Sequence, residues 1–359
     1  MKKLFILLLL ALTASVVFAG GSQEESDSIT VVTSTSIVND VVKEIAGDSV
    51  EIFSLIAKGT DPHSYEPTPR DMARVETADI VFTNGFDLEE NLMSVLETVS
   101  TGMIVEVSRT IEADYDDHEG EEHHEDDHHD HEGEEHHDDD HHDHEGEEPH
   151  EDDHHDHEGE EPHEDDHHDD DHHGHNHDGA DPHTWMSPLN VLQWVDVIEQ
   201  ALAAADPGNS SVYAANADAY RAELLNLDTW IREELDVLPP DHRVLVTDHN
   251  VFSHFAEEYD FEVIGTIIPG FSTSAEPSAG EISKLISLLE KEHVEAIFIG
   301  EASGEGIRKL AETLNRESDH EISVHEILTG SLREEGSEGD NYIDFMKYNV
   351  NQIISGLDK

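Results

Sequence analysis

Two copies of one short motif place histidines where they could bind a metal ion. The motif is Asp-Pro-His followed by Ser or Thr and then an aromatic residue, and it occurs at 61–65 and at 181–185. Proline restrains the backbone just before His63 and His183, which fixes the direction of each imidazole. A third histidine, His249, follows a predicted strand in the second half of the chain. Neutral imidazole is a good ligand for zinc and similar divalent metals, so these side chains predict a metal site.

Other histidines outside the His-rich stretch lack such a context. We interpret them as structural or solvated. His254 is the one for which this interpretation is weakest, because it lies five residues after His249. The aromatic residues of the two motifs, Tyr65 and Trp185, are expected to pack behind the ligands. Asp61 and Asp181 either orient the adjacent loops or cap local structure. The remaining histidines of this group are His242, His293, His320 and His325.

A separate stretch, at 116–178, concentrates histidine and acid. It holds 22 of the 30 histidines and 33 aspartates and glutamates, without Lys, Arg or a large apolar residue. Nothing in it can be buried, so we predict a disordered loop. The pentamer His-Glu-Gly-Glu-Glu recurs with a period of 13, starting at 118, 131, 144 and 157. The loop is either a solvated spacer or a weak, multivalent metal-capturing segment.

Composition excludes several classes of site and partner. The chain has no cysteine, so disulfides, thiolate metal sites and cysteine nucleophiles are excluded. The formal net charge is −68, which disfavours binding to nucleic acid and anionic lipid and attracts cations.

The N-terminus has the three parts of a secretory signal. Lys2 and Lys3 form a basic region, an apolar run follows at 4–12, and small residues at 17 and 19 precede Gly20. We expect a signal peptide at 1–19 and an extracytoplasmic protein, with an uncleaved membrane anchor as the alternative. The cysteine that a lipoprotein would need after the signal is replaced by Gly20.

Strands and helices alternate on both sides of the acidic stretch, which predicts an α/β fold with mostly parallel sheets. Apolar residues at helical spacing between 211 and 238 indicate one long helix that could join two lobes. The predicted strands lie at 29–32, 50–56, 80–83 and 103–107, and then at 244–247, 261–268, 296–299 and 322–327.

The domain organisation follows from these patterns. We predict a flexible tail at 20–28 and an N-terminal α/β lobe at 29–115. The disordered loop at 116–178 interrupts that lobe, which ends with residues 179–210. The linking helix at 211–238 leads into a C-terminal α/β lobe at 239–359.

Four motifs together resemble the metal-specific solute-binding proteins of bacterial ABC importers for zinc and manganese, the zinc-uptake (cluster A-I) type. They are DPHSYEPTPRD from Asp61, DPHTWMSP from Asp181, VTDHNVFSHFAEEY from Val246 and AIFIGEASGEGIRKLAETL from Ala296. The resemblance covers roughly 30–357 apart from the acidic loop. It implies two α/β lobes, each with a mostly parallel four-stranded sheet, joined by one long rigid helix, with the metal in the cleft between the lobes.

The resemblance also implies the ligands. His63, His183 and His249 take the three histidine positions, and histidine at the third favours zinc over manganese. The family's fourth position is usually Asp, and here Glu305 falls at or near it. Glu301 and a water molecule are the alternatives.

The implied function is capture of Zn²⁺ and its delivery to an ABC permease in the cytoplasmic membrane, by a monomer and without catalysis. A manganese- or iron-binding protein of the same family is one alternative. A secreted metal buffer or adhesin that acts through the His-rich loop is another. A secreted zinc hydrolase would also use three histidines and a water, but the chain contains no His-Glu-x-x-His motif.

Overall fold

The first half of the chain builds one parallel sheet. The computed structural model describes residues 28–112 and 179–358, so the predicted signal peptide, the tail up to residue 27 and the acidic loop lie outside the described residues. The elements are β1 (Thr30–Thr33), α1 (Ser36–Ala46), β2 (Glu51–Ser54), α2 (Pro69–Thr77), β3 (Ile80–Thr83), α3 (Glu90–Val99) and β4 (Met103–Glu106). The strands pair in the order β2-β1-β3-β4, all parallel.

Two further helices connect this lobe to the second. They are α4 (Pro188–Ala205) and α5 (Ser210–Leu235). The elements of the second lobe are β5 (Val244–Thr247), α6 (Ser253–Tyr259), β6 (Glu262–Thr266), α7 (Ala279–Lys291), β7 (Ala296–Gly300), α8 (Glu305–Glu317), β8 (Ser323–Ile327) and α9 (Tyr342–Leu357). They repeat the first arrangement, with strand order β6-β5-β7-β8, again all parallel. The predicted fold class, two lobes with a parallel four-stranded sheet each, is confirmed.

The helix ends follow from local chemistry. The Thr35 side chain accepts a hydrogen bond from the Val38 amide at the start of α1, and Gly47 ends that helix with a φ of 56°. At α2, Thr68 and Asp71 form a capping box, with a proline in the first turn. These caps determine where each helix begins or ends, and hence where the connecting loops lie.

The long helix α5 buries one face along its length. Its buried residues recur every three or four positions, which keeps them on one side of the helix. That side packs against α4, α1 and α9. The helix ends at Leu235, and the buried Leu238 lies in the turn that precedes Pro239. The buried residues of this face are Tyr213, Ala217, Tyr220, Leu224, Leu227, Ile231 and Leu235.

One hydrophobic core runs through both lobes. It includes Val31 of the first sheet, Phe298 of the second and Tyr213 of the long helix. A separate apolar cluster lies in each lobe, around Val81 in the first and Ile297 in the second. None of the helices in the described part of the chain combines the length and apolar character needed to cross a membrane.

Candidate metal centre

His63 lies in a single helical turn, Pro62–Ser64, that follows β2. Asp61 precedes the turn, and its Oδ1 accepts a hydrogen bond from the His63 amide at 3.0 Å. Its other oxygen, Oδ2, accepts a hydrogen bond from the Thr273 hydroxyl at 2.6 Å. Asp61 therefore orients the His63 turn and also joins the first lobe to a loop of the second.

His183 is held by a carboxylate in the same way. Asp181 Oδ1 accepts hydrogen bonds from the His183 amide at 2.9 Å and from the ring Nδ1 at 2.7 Å. Since Nδ1 is the donor to Asp181, the Nε2 lone pair of this ring is free to bind a metal. Asn84, at the end of β3, donates to the Pro182 carbonyl at 2.8 Å. Trp185 packs edge-on against the His183 ring, whereas Tyr65 instead donates to Asp71 at 2.8 Å.

His249 follows β5 directly, and its neighbour Asp248 holds it. Asp248 Oδ1 accepts hydrogen bonds from the His249 amide at 2.9 Å and from its Nδ1 at 2.8 Å. Oδ2 accepts from the Gly300 amide at 2.9 Å and from the Ser303 hydroxyl. Sequence reasoning assigned no role to Asp248. The signal that could have revealed it is an aspartate one or two residues before each of the three histidines.

The three imidazoles converge on one point. Among the described residues they form the single group of three or more potential metal-binding side chains whose ligand atoms all lie within 4.8 Å of one another. The Nε2 atoms of His63 and His183 are 3.1 Å apart. A tetrahedral zinc with Zn–N bonds of normal length separates its ligand nitrogens by about 3.3 Å. The His63–His183 pair therefore has close to the spacing that a zinc ion requires, and a ring nitrogen of His249 lies within 4.8 Å of both.

Burial keeps two of these rings ready to bind metal. Burial lowers the pKa of His63 well below its usual value, and the neighbouring histidines lower it further. Burial also lowers the pKa of His183, although Asp181 opposes the shift. At His249 burial also acts to lower the pKa, but Asp248, Asp61 and Asp181 act together against it, and the pKa is raised. Neutral imidazole is the form that binds metal, so His63 and His183 need not lose a proton first at neutral pH.

The two aspartates that hold rings stay ionised despite being buried. Burial alone would raise the pKa of Asp248, but the His249 ring, the Ser303 hydroxyl and the Gly300 amide hold it at about 2. Burial likewise opposes ionisation of Asp181, yet the pKa of this carboxyl is lowered, chiefly by His183. The anionic carboxylates strengthen the hydrogen bonds from Nδ1 and favour the tautomer with a free Nε2.

The predicted fourth ligand does not join the cluster. Glu305 is the first residue of α8, its side chain is 81% exposed, and its carboxylate pairs with Lys309 Nζ at 2.7 Å. Positions four apart share a helix face, which explains this pairing. Glu301 is also engaged elsewhere, because its Oε2 accepts a hydrogen bond from Arg333 Nε at 2.7 Å. The structure thus brings together His63, His183 and His249, but not Glu305 or Glu301.

The cavity at the cluster is lined from both lobes. Asp61, Pro62, His63 and His183 come from the first lobe. The second lobe contributes His249, Thr273, Ala302, Ser303, Thr329 and Gly330. The Trp185 indole donates to the Thr329 carbonyl at 2.8 Å, so the wall behind His183 also crosses between the lobes.

Comparisons with known proteins agree with this architecture. Residues 31–356 match the family model for ZnuA, the periplasmic component A of zinc-uptake complexes. The chain is 29% identical to the manganese-binding lipoprotein MntA of Halalkalibacterium halodurans, over 99% of each protein. It is 28% identical to the manganese ABC transporter substrate-binding lipoprotein PsaA of Streptococcus pneumoniae, over 94% of this chain and 92% of the relative.

A solved structure with the same fold is the periplasmic zinc-binding protein TroA of Treponema pallidum. Its TM-score is 0.71 at 23% identity, and the match covers 92% of this chain and 99% of TroA. This likeness extends to both lobes. The chain therefore belongs to the ZnuA family, and it is a metal-binding, substrate-binding protein of an ABC transporter.

Proposed function

We propose that this protein captures Zn²⁺ outside the cytoplasm and delivers it, as a monomer, to an ABC permease in the cytoplasmic membrane. The observation that carries the proposal is the convergence of three imidazoles, from two lobes, with ligand atoms within 4.8 Å of one another and one pair at 3.1 Å. His63, His183 and His249 are the proposed ligands. The protein binds and releases the ion without a chemical step.

The donor set supports zinc over manganese. Three nitrogen ligands suit a borderline metal such as zinc, whereas manganese prefers oxygen ligands. Manganese is the second candidate, because MntA and PsaA are named for manganese. The imidazole at His249 is the feature that we expect to decide between the two ions.

One carboxylate would complete a tetrahedron and offset part of the ion's charge. We assign this role to Glu305, which must exchange Lys309 for the ion when metal binds. Its segment supports the assignment, because Ala302 and Ser303 line the cavity and Ser303 contacts Asp248. Glu301, on the same segment, and water are the alternatives.

Alanine variants of the ligands test the proposal. Replacing His63 or His183 with alanine should weaken zinc binding by about a hundredfold or more, because each removes one of the nitrogen ligands. Calorimetric titration with zinc, and then competition with manganese, measures both affinity and preference. The exposed His242 provides the matched control, His242→Ala. Wild-type zinc affinity in either ligand variant contradicts the site, and tighter binding of manganese than zinc contradicts the choice of ion.

A further inference from the structure

The three aspartates that hold the ligand histidines differ in one respect. Asp61 and Asp248 each use both carboxylate oxygens in hydrogen bonds. Asp181 uses only Oδ1, and its Oδ2 is buried without a hydrogen-bond partner. A buried carboxylate oxygen in this state is costly, so the group needs stabilisation from a neighbour.

His254 is the neighbour placed to supply it. It is the second residue of α6, and only 5% of it is exposed. Its Nε2 lies 3.3 Å from the Asp181 carbonyl oxygen and 4.0 Å from the free Oδ2. An Nε2–H at this position faces both oxygens of Asp181, donating to the carbonyl and lying near the carboxylate. The positive end of this N–H dipole favours the anionic form of Asp181.

The carbonyl groups around His183 are held from three different elements. His254 of α6 contacts the Asp181 carbonyl, and Asn84 after β3 donates to the Pro182 carbonyl. Tyr342 of α9 donates its hydroxyl to the Trp185 carbonyl at 2.7 Å. Unlike the other two contacts, the His254 contact joins the segments that carry two different proposed ligands. Helix α6 begins four residues after His249, so His254 connects the loop of one ligand to the segment that carries another.

We propose that His254 is a positioning residue for metal binding, which keeps Asp181 aimed at the His183 ring and couples that ligand to the His249 segment. The inference rests on the proposed function, because it concerns the same site. Asp181 can hold the Nδ1 proton of His183 only while its own position is fixed. Loss of the His254 contact removes one constraint on Asp181, and the direction of the His183 Nε2 lone pair is then less well fixed. Residues that orient ligands in this way contribute strongly to metal affinity.

Two substitutions at His254 separate positioning from packing. In the full-length protein, His254→Phe retains a ring but removes the donor, and zinc binding should weaken about tenfold. His254→Gln restores a donor at a similar distance and should recover most of the affinity. The cobalt-substituted protein provides a second readout, because its visible spectrum reports the ligand geometry. We expect that spectrum to change in His254→Phe and to return in His254→Gln.

A control on the same helix accounts for destabilisation. Phe255 is fully buried and packs against Phe252, Tyr259 and Phe261, so Phe255→Leu disturbs α6 without removing the Asp181 contact. Thermal unfolding of each metal-free variant measures the loss of stability. The inference is wrong if His254→Phe keeps wild-type affinity and spectrum, or if affinity merely follows stability across all three variants. If His183→Ala binds zinc as tightly as wild type, the proposed zinc site is wrong, and the inference about His254 is then wrong as well.

Discussion

Each proposed ligand is oriented by an aspartate one or two residues before it. Asp61, Asp181 and Asp248 all accept the backbone amide of their histidine, and the last two also accept the ring Nδ1. At His183 and His249 this arrangement specifies the tautomer and the ring direction, whereas at His63 it orients the backbone turn. The same aspartates are also held by residues far away in the chain, such as Thr273 at Asp61 and Gly300 at Asp248, so the cluster depends on both local and long-range contacts.

The two candidate carboxylates can be compared directly at the residue scale. Glu305 and Glu301 each pair with one cationic side chain, Lys309 and Arg333 respectively. Glu305→Gln should weaken zinc binding about tenfold or more if its carboxylate joins the ion, because a charged ligand is lost. Glu301→Gln should change the affinity little, and it serves as the matched control. Calorimetric titration of both variants decides between them; equal, small effects would instead favour water as the fourth ligand.

At the scale of elements, local patterns predict a great deal. All eight predicted strands are present, because each is a short run of apolar and β-branched residues between turns, and strands alternate with amphipathic helices. The histidines could be found because each stands in a recognisable motif after a strand or proline. Atomic partners could not be predicted. Glu305 occupies the expected place along the chain, yet its carboxylate faces Lys309, and the contacts of Asp248 with Gly300 and Ser303 arise only when the chain folds.

Contacts between helices of the two lobes contain a titratable group. Asp40 of α1 accepts a hydrogen bond from the Tyr342 amide, at the start of α9, at 2.8 Å. Burial raises the pKa of Asp40 to about 6, and Glu44 adds to the shift, while the Tyr342 hydrogen bond and two lysines, Lys58 and Lys43, oppose it. The folded state therefore holds this proton more tightly than the unfolded state, whose carboxyl has its ordinary pKa near 3.8. The contribution of Asp40 to stability is present at low pH and is lost as pH rises from about 4 to about 6.

Asp40→Asn tests this contact. An amide can still accept the Tyr342 hydrogen bond but cannot ionise, so the variant should be more stable than wild type at neutral pH. The difference in free energy of unfolding between the variant and wild type should grow by about 1 kcal/mol between pH 5 and pH 7.5. Urea unfolding of the metal-free proteins at the two pH values measures it. Asp48→Asn, at an exposed carboxylate just after α1, controls for the loss of one negative charge. If this difference in free energy of unfolding stays constant or decreases as pH rises, the raised pKa of Asp40 is contradicted.

At the scale of the whole molecule, the acidic stretch enters the chain between the ligands His63 and His183. The described residues on either side of it are joined by a hydrogen bond of 2.8 Å between the hydroxyls of Ser108 and Thr184. The Trp194 indole also donates to the Ser108 hydroxyl, at 3.1 Å. Because these contacts are made within the lobe, we expect the geometry at His183 to be retained when residues 116–178 are removed. The specific site and the histidine-rich stretch are therefore expected to be separable.

Deleting residues 116–178 tests this separation. The stretch holds 22 of the 30 histidines, so the deletion should abolish weak, multivalent zinc binding while one tight site remains. The removal of 33 carboxylates should also slow zinc association at low salt, because less negative charge attracts the cation. Zinc titration with a measured stoichiometry, repeated at pH 7.5 and pH 5.5, distinguishes the weak sites from the tight one. Imidazoles of ordinary pKa lose zinc as they become protonated below about pH 6.5, so the weak sites should disappear at the lower pH. Loss of the tight site together with the weak ones would instead identify the stretch as the main metal-binding part and the protein as a metal buffer.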